Sequence, residues 1–475
     1  MERGNEMELW RAGDFIKNRR GFYDRARDVG INMKEKILIE NGTIIDGTGS
    51  KEYKGNIVIE DNKIIAVGKN TIEFSGEDSI QKIDASEKFI MPGIIDAHCH
   101  ITFDEPTSND ELFFHRRQAL SAIIAGYNAR KVLLAGVTGF CDPDSLHEIG
   151  IDLRDAINSG YVEGPRMSVG GNALLTSVGG TAGRLIPDEG LRGYAQIVQN
   201  KDEIITEVRR QIKNGADWIK IHVTGLIPNQ REAGEISVWS YEELKLVCDL
   251  AHDLGIPVVG HVRNAKGVKD SIKAGMDMIL HATFMDEEAI DMVCETKTPI
   301  VPTFTFQANL ADFGDSIGAS SDYREIFRKE ITDNCEIFKK IHDSGVPLLC
   351  GTESGFSMTP YGEWHYRELE VFVNDIGMSN LESITCATKN ASKAMKMEGK
   401  VGTLEAGMLA DILILDENPL NDITVLGDKS KISSIILNGR EVDRTKPETE
   451  ITPPQGWRLS PYSDKILTQK VAKNR

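Results

Sequence analysis

Residues 92–100 read Pro-Gly-Ile-Ile-Asp-Ala-His-Cys-His. An apolar run ending in His98-Cys99-His100 suits a buried β-strand. Alternation along a strand turns His98 and His100 to the same side. Two imidazoles on one face at a strand's end can share a metal ion. Further runs of this kind follow: GVTGFCD (136–142), PRMSVGG (165–171), DWIKIHV (217–223), PVVGHV (257–262), DMILHA (277–282), PIVPTF (299–304) and PLLCGTE (347–353). Longer amphipathic stretches separate them. In YEELKLVCDLAHDLG (241–255), Leu244, Val247, Cys248, Leu250 and Ala251 fall on one helical face. Strands alternating with helices imply parallel βαβ units. The eight runs predict an α/β fold, a (β/α)8 TIM-like barrel over residues 90–400.

The flanks have a different texture. KILIENGTIIDGTG (36–49) and GNIVIEDNKIIAVG (55–68) read as short strands joined by Asn-Gly and Asp-Asn turns. VGTLEAGMLADILILD (401–416) and ISSIILNGREV (432–442) repeat that texture near the other end. Residues 34–89 and 401–443 are therefore expected to form one small β-sandwich domain built from both ends of the chain. Residues 1–33 read as an added segment, with Trp10, Phe15, Phe22 and Tyr23 among charges in a short docking helix. Residues 444–475 form a C-terminal tail.

Composition narrows the function classes. The chain has 475 residues, 40% hydrophobic and 27% charged, which is ordinary for a soluble globular protein. Its net charge of −18 argues against nucleic-acid binding, which needs clustered Lys and Arg. The seven cysteines have no paired spacing and read as reduced thiols in a cytoplasmic protein. Cys99 reads as a small strand residue. The charged N-terminus has no secretory h-region, and no apolar run is long enough to span a membrane.

The other runs carry chemistry at matching places. Lys220, His261, His281 and Glu353 each sit at or near the C-terminal end of a run, where barrel enzymes place their chemistry. Four of the ten histidines fall at such ends. His222 shares the parity of Lys220, and Arg263 that of His261, so both are candidates to face substrate. Arg263 can hold a substrate oxygen or carboxylate, or pair with a neighbouring acid. Tyr361 and His365, on the segment after the eighth run, are candidates to line the pocket. The Gly-rich stretch 170–185 lacks the spacing of a phosphate loop and reads as a lid. His115, His147, His252 and His342 lie in helical stretches and read as ordinary residues.

In its order of His-x-His, Lys, His, His and acid, the chain resembles the binuclear amidohydrolases. PGIIDAHCH and VGTLEAGMLADILILD look like that superfamily's opening and closing signatures. The resemblance covers residues 34–443. It is nearest the imidazolonepropionase-like and Xaa-Pro-dipeptidase-like branch. KIHVTG, GHVRNA, LHATFMDEEAI and GTESGFSMTPYGEWHYRELEVF are most similar to its thiocarbamate (molinate) and phenylurea hydrolases.

The resemblance implies two divalent cations, with zinc first and Co, Mn or Fe open. His98 and His100 would bind the more buried ion and His261 and His281 the more exposed one. Lys220, carbamylated by CO2, would bridge them. A hydroxide between the metals would attack a C–N bond of a small molecule: an amide, urea or (thio)carbamate. Glu353 departs from the family's usual Asp. It is expected to be both ligand and general base, with base-only and one-metal sites as alternatives.

Alternatives within the hydrolases are an Xaa-Pro-type dipeptidase, an N-acyl amino acid hydrolase and a cyclic amide hydrolase. A deaminase is disfavoured by Lys220 and by the Val262-Arg263-Asn264 that follows His261. A metal-free scaffold is the alternative of another class. A homo-oligomer is expected by analogy.

Overall fold

The computed structural model describes residues 36–69, 80–106, 117–179, 193–225, 235–446 and 467–473. The segment 1–33, His115, residues 180–185 of the Gly-rich stretch and most of the tail lie outside the described residues.

Isoleucine-rich strands from both ends meet in one eight-stranded sheet. Its order is Arg440–Glu441, Ile432–Leu437, Ile412–Leu415, Phe89–Pro92, Lys36–Ile44, Tyr53–Glu60 and Lys63–Gly68, with Ile80–Asp84 also paired to Lys36–Ile44. Phe89–Pro92 makes the join, lying parallel to Lys36–Ile44 and antiparallel to Ile412–Leu415. Ile37, Ile39, Ile57, Ile90, Ile412 and Ile436 pack together in its core, as β-branched side chains do on a pleated surface. The pairing is continuous across both ends of the chain. One finding differs from the sequence reading. The sheet takes in Ile90–Pro92, which were assigned to the barrel segment.

The middle of the chain is an α/β arrangement with parallel sheets. Ile94–Asp96 pairs with Val137–Asp142, which pairs with Arg166–Val169. Gly170 bridges in parallel to Trp218. Ile219–His222, Val258–Val262, Met278–His281 and Ile300–Val301 pair in that order, all parallel. Ile300 bridges in parallel to Leu348, and Ala97 N–H donates to Cys350 O at 2.8 Å, which returns to the first run.

Local signals set where each strand stops. The Asn264 side chain caps the Ala265–Ala274 helix, so the preceding strand must end just after His261. Asn200 caps Lys201–Asn214, and Gly215 at φ 103° ends it. Ser240 and Glu243 form a capping box on Tyr241–Asp253, which buries Leu244, Val247, Cys248 and Ala251. Because the strands are parallel, their C-terminal ends share one face. That face gathers the histidines.

Candidate metal centre

His98, His100, Lys220, His222 and His281 are each at most 3% exposed, and His261 is 6% exposed. The rings form a connected row. Centroid separations are 4.9 Å for His222–His261, 4.5 Å for His261–His281, 5.5 Å for His281–His98 and 4.7 Å for His98–His100. Strand register builds this directly, since His222 lies opposite His261.

Burial drives the imidazoles neutral, which is their ligating form. It pushes His98 and His281 well below the usual histidine range, and His100 and His222 down to about 4. Hydrogen bonding then fixes a tautomer. Thr303 Oγ1 donates to Val301 O at 3.2 Å and so accepts from His98 Nδ1 at 3.0 Å. The His98 Nε2 lone pair is left with no protein partner, as are both ring nitrogens of His281 and Nδ1 of His222. Buried polar atoms without partners are costly, so a row of them fits a cation. One ligand atom each from His98, His100 and Glu353 lie within 4.8 Å of one another, a spacing one ion can satisfy.

Charge balance agrees. Asp142, Asp144, Glu235, Glu330 and Glu353 converge on this region with Lys220 and Arg263 among them as cations. Lys220 Nζ lies 2.9 Å from Asp144 Oδ1. Against the cost of its burial, Lys220 and His100 hold the Asp144 carboxyl well below its ordinary range. Burial and the Asp144 charge push Asp142 well above it, and neither Asp142 oxygen has a hydrogen-bond partner. Burial raises Glu353 to about 7, with Arg263 and Lys220 opposing.

The strands end in strained backbone at this face. His281 (φ 70°), Thr303 (φ 59°) and Glu353 (φ 54°) all adopt left-handed conformations without being glycine. Each costs roughly 1–3 kcal/mol and persists where surrounding structure imposes it. Gly351 shows how tightly the last run meets the first. A Cβ there would sit 2.4 Å from Val301 Cγ1 and 2.7 Å from His98 Cβ. Gly351→Ala is expected to lower stability by roughly 1–3 kcal/mol and to weaken metal retention by moving His98. Thermal unfolding and metal titration check this.

The weaker candidates separate by environment. His222 lies in the row, with its Nε2 3.2 Å from Tyr194 Oη. Arg263 is held by protein acids, by Glu330 and, at 3.7 Å, by Glu235. Tyr361 does not line the pocket as expected. It is fully buried, and its hydroxyl donates to His100 O at 2.5 Å. His365 is likewise a strut. Its Nε2 accepts from Gly362 N–H at 3.1 Å, so Nδ1–H donates to Asp96 Oδ2 at 2.8 Å. Asp96 Oδ1 in turn accepts from the His98 and Thr352 amides at 3.1 and 3.0 Å. Among the remaining histidines, His252 pairs with Asp277 at 2.8 Å near the surface.

Several residues here escaped the sequence reading. Glu235 Oε2 accepts from His261 Nε2 at 2.8 Å and from Thr224 Oγ1 at 2.8 Å. Despite burial, His261 and Arg263 hold Glu235 down at about 2. Glu368 accepts from Phe304 N, Thr305 N and Thr305 Oγ1 at 3.0, 2.8 and 2.7 Å, fixing the turn that carries Thr303. Asp142 and Asp144 did leave a signal, one acid closing the second run and another two residues on, in CDPDS.

Comparison with known proteins identifies the family. The model of the amidohydrolase family matches residues 89–442. The chain is 27% identical over 429 residues to ochratoxinase of Aspergillus niger, covering 85% of this chain and 86% of that protein. Among solved structures, an Xaa-Pro dipeptidase with bound methionine superposes with a TM-score of 0.74 at 30% identity, covering 86% of this chain and all of that one. Molinate hydrolase shares the fold, with a TM-score of 0.71 at 24% identity over 90% of this chain and 99% of that one. The chain belongs to the amidohydrolase family.

Proposed function

We propose that this chain is a metal-dependent hydrolase of a C–N bond in a small, neutral, partly apolar amide, urea or (thio)carbamate. In this reading the circuit of parallel pairings closes as a (β/α)8 barrel with the site at its C-terminal mouth. The observation that carries the proposal is the buried histidine row with unpartnered lone pairs, set beside Lys220 and Glu353. His98, His100 and Glu353 would hold one divalent cation and His261 and His281 a second. Lys220 lies among them, and as a carbamate it would supply the anion between the two. Forming that carbamate needs only addition of the neutral Nζ lone pair to CO2 and loss of one proton. Bound cations would supply Lewis acidity to the substrate carbonyl and acidify water.

The chain's own groups do the rest. Glu353 takes the proton of the attacking water on a carboxylate oxygen. Water oxygen joins the carbonyl carbon, the C–N bond breaks, and Glu353 returns the proton to the leaving nitrogen. Asp96, held by Thr352 and His365, keeps His98 in register.

Charge and shape support the neutral substrate over a dipeptide or N-acyl amino acid. Arg263 is directed at the protein carboxylates Glu330 and Glu235, and Lys220 as a carbamate would carry negative charge, so neither offers a free side-chain cation. A substrate carboxylate would have to displace Glu330 in a buried region, which is costly. Beside His100 runs an aromatic wall. Phe103 stacks on His100 at 4.1 Å, Phe356 meets Phe103 at 5.4 Å, and Phe306 meets Phe356 at 5.7 Å. Such faces suit an apolar or aryl group.

The test is metal content by elemental mass spectrometry on protein purified without chelators in bicarbonate, followed by turnover of anilides, phenylureas and thiocarbamates against Xaa-Pro dipeptides. About two equivalents of metal per chain, with neutral substrates preferred, is the expected result. One equivalent would point to a mononuclear site. Preference for dipeptides would overturn the substrate class. No metal after reconstitution would leave the scaffold reading standing.

A further inference from the structure

The segment from Glu353 to Tyr366 has little regular structure, yet it carries Glu353 at its start and His365 near its end. Part of its order is internal. Thr359 Oγ1 donates to Glu353 O at 2.7 Å, and Gly355 N–H donates to Thr359 O at 2.9 Å. Turns of this kind do not by themselves hold a left-handed glutamate in place. Residues 96–106 hold it from one side, with Glu353 N–H donating to His98 O at 2.7 Å, Glu105 N–H to Gly355 O at 2.7 Å and Tyr361 N–H to Glu105 Oε1 at 3.1 Å, and a second set of ties comes from the far end of the chain.

Residues 467–473 lie directly on this segment. Leu467 is fully buried in the main core, and its N–H donates to Ser357 O at 3.1 Å. Trp364 Nε1–H donates to Leu467 O at 2.6 Å. Gln469 N–H donates to a Glu363 side-chain oxygen at 2.9 Å. The Gln469 amide nitrogen donates to Glu363 O at 2.9 Å and to Gly427 O at 2.7 Å. Gly427 belongs to a different turn, pressed on the same segment. A Cβ on it would meet the Tyr366 ring at 2.3 Å. The Trp364 ring is itself stacked between Phe313 and Tyr366, at 5.3 and 6.1 Å. Five hydrogen bonds thus tie residues 467–469 to the Ser357–Trp364 stretch and to Gly427. A core side chain anchors them.

We propose that residues 467–473 are a clamp that holds the Glu353–Tyr366 segment in the shape that presents Glu353 to the site and His365 to Asp96. Leu467 and Gln469 are then positioning residues, acting through Ser357, Glu363 and Trp364. Neither touches the histidine row. The clamp rests on the reading of Glu353 as the proton-transferring group, but its geometry is testable without any substrate.

The test uses the full-length chain and three separate substitutions. Gln469→Ala removes both side-chain donations. Leu467→Ala removes the anchor. Trp364→Phe keeps a stacked ring and removes only the N–H to Leu467. Amide hydrogen exchange read by mass spectrometry is expected to accelerate about tenfold or more across residues 355–366, with strands 219–222 and 258–262 unchanged. On any substrate the unaltered protein hydrolyses, kcat is expected to fall about three- to tenfold with KM within about twofold. Unchanged exchange in the segment for all three variants would overturn the clamp. Acceleration spread evenly over the barrel strands would also overturn it, as a general loss of stability. The exchange result stands whether or not C–N hydrolysis is found, so the two readings fail separately.

Discussion

Replacing Lys220 with alanine is expected to abolish turnover, by on the order of a thousandfold or more, with partial return when a short carboxylic acid such as formate or acetate is added. The argument starts from burial. Lys220 is 1% exposed and its amine faces Asp144 at 2.9 Å, so the side chain has a structural partner as well as a proposed catalytic one. Removing the lysine leaves Asp144 buried without its cation, a loss of about 3–5 kcal/mol. Lower stability alone would therefore not identify the role. Two further measurements do. An added carboxylic acid supplies the anion that a carbamate would have been, but it cannot replace a lost ammonium partner of Asp144. Lys220→Arg makes the converse change. It keeps a cation beside Asp144 but presents a guanidinium, which does not form the carbamate. That variant is expected to stay folded and inactive. Undiminished turnover in Lys220→Arg would sink the carbamate, and undiminished turnover in Lys220→Ala would sink any role for this position in the chemistry.

How much of this could be read from the chain alone depended on locality. His98, His100, Lys220, His261 and His281 stand at the ends of apolar runs. Strand parity and position at the run ends place them without knowledge of the rest of the fold. Their meeting in one row follows from parallel pairing. Glu235 left no such signal. It reaches His261 from the connection between the fourth and fifth runs, and no periodicity marks it. Asp144 stands two residues after the second run, but nothing local marks its partner Lys220, 76 positions away. Glu368 and Asp96 act through backbone amides, a role that residue type does not announce. Tyr361 and His365 were misread for the opposite reason. A polar aromatic after the last strand suggests pocket lining, yet the hydroxyl and the imidazole are used to hold His100 O and Asp96. At the β-rich ends, strand character was plain in KILIENGTI and ILIL. That Phe89–Pro92 joins them into one sheet is a matter of long-range register.

Replacing Glu353 with glutamine is expected to weaken metal retention and, in protein reloaded to the parent's metal content, to lower kcat by about 10²- to 10⁴-fold. Glu353→Asp, which restores the family's usual acid, should keep part of the activity if the group is a ligand. The pH profile gives the sharper result. Burial raises the Glu353 carboxyl from its ordinary value of 4.5 to about 7. A base must be ionised, so activity is expected to fall as the pH drops through that region and Glu353 takes up its proton. Cations bound beside the carboxylate favour its ionised form and move this limb to lower pH, so the metal-free protein should titrate nearest 7. Stability supplies a reading that needs no substrate. In the metal-free folded state the carboxyl holds its proton to higher pH than in the unfolded chain. Its contribution is therefore fully present below the unfolded value and is lost as pH rises from about 4.5 through about 7. The full shift corresponds to at most about 3 kcal/mol. Glu353→Gln removes that slope, so the stability difference between the variant and the parent should grow with pH across this window. Adding the metal to the parent should close it. A variant fully loaded with metal and turning over at the parent's rate would show that the proton is carried by another group. Asp144, whose carboxylate lies 2.9 Å from Lys220 Nζ and 3.6 Å from His222 Nε2, would then be the residue to replace next.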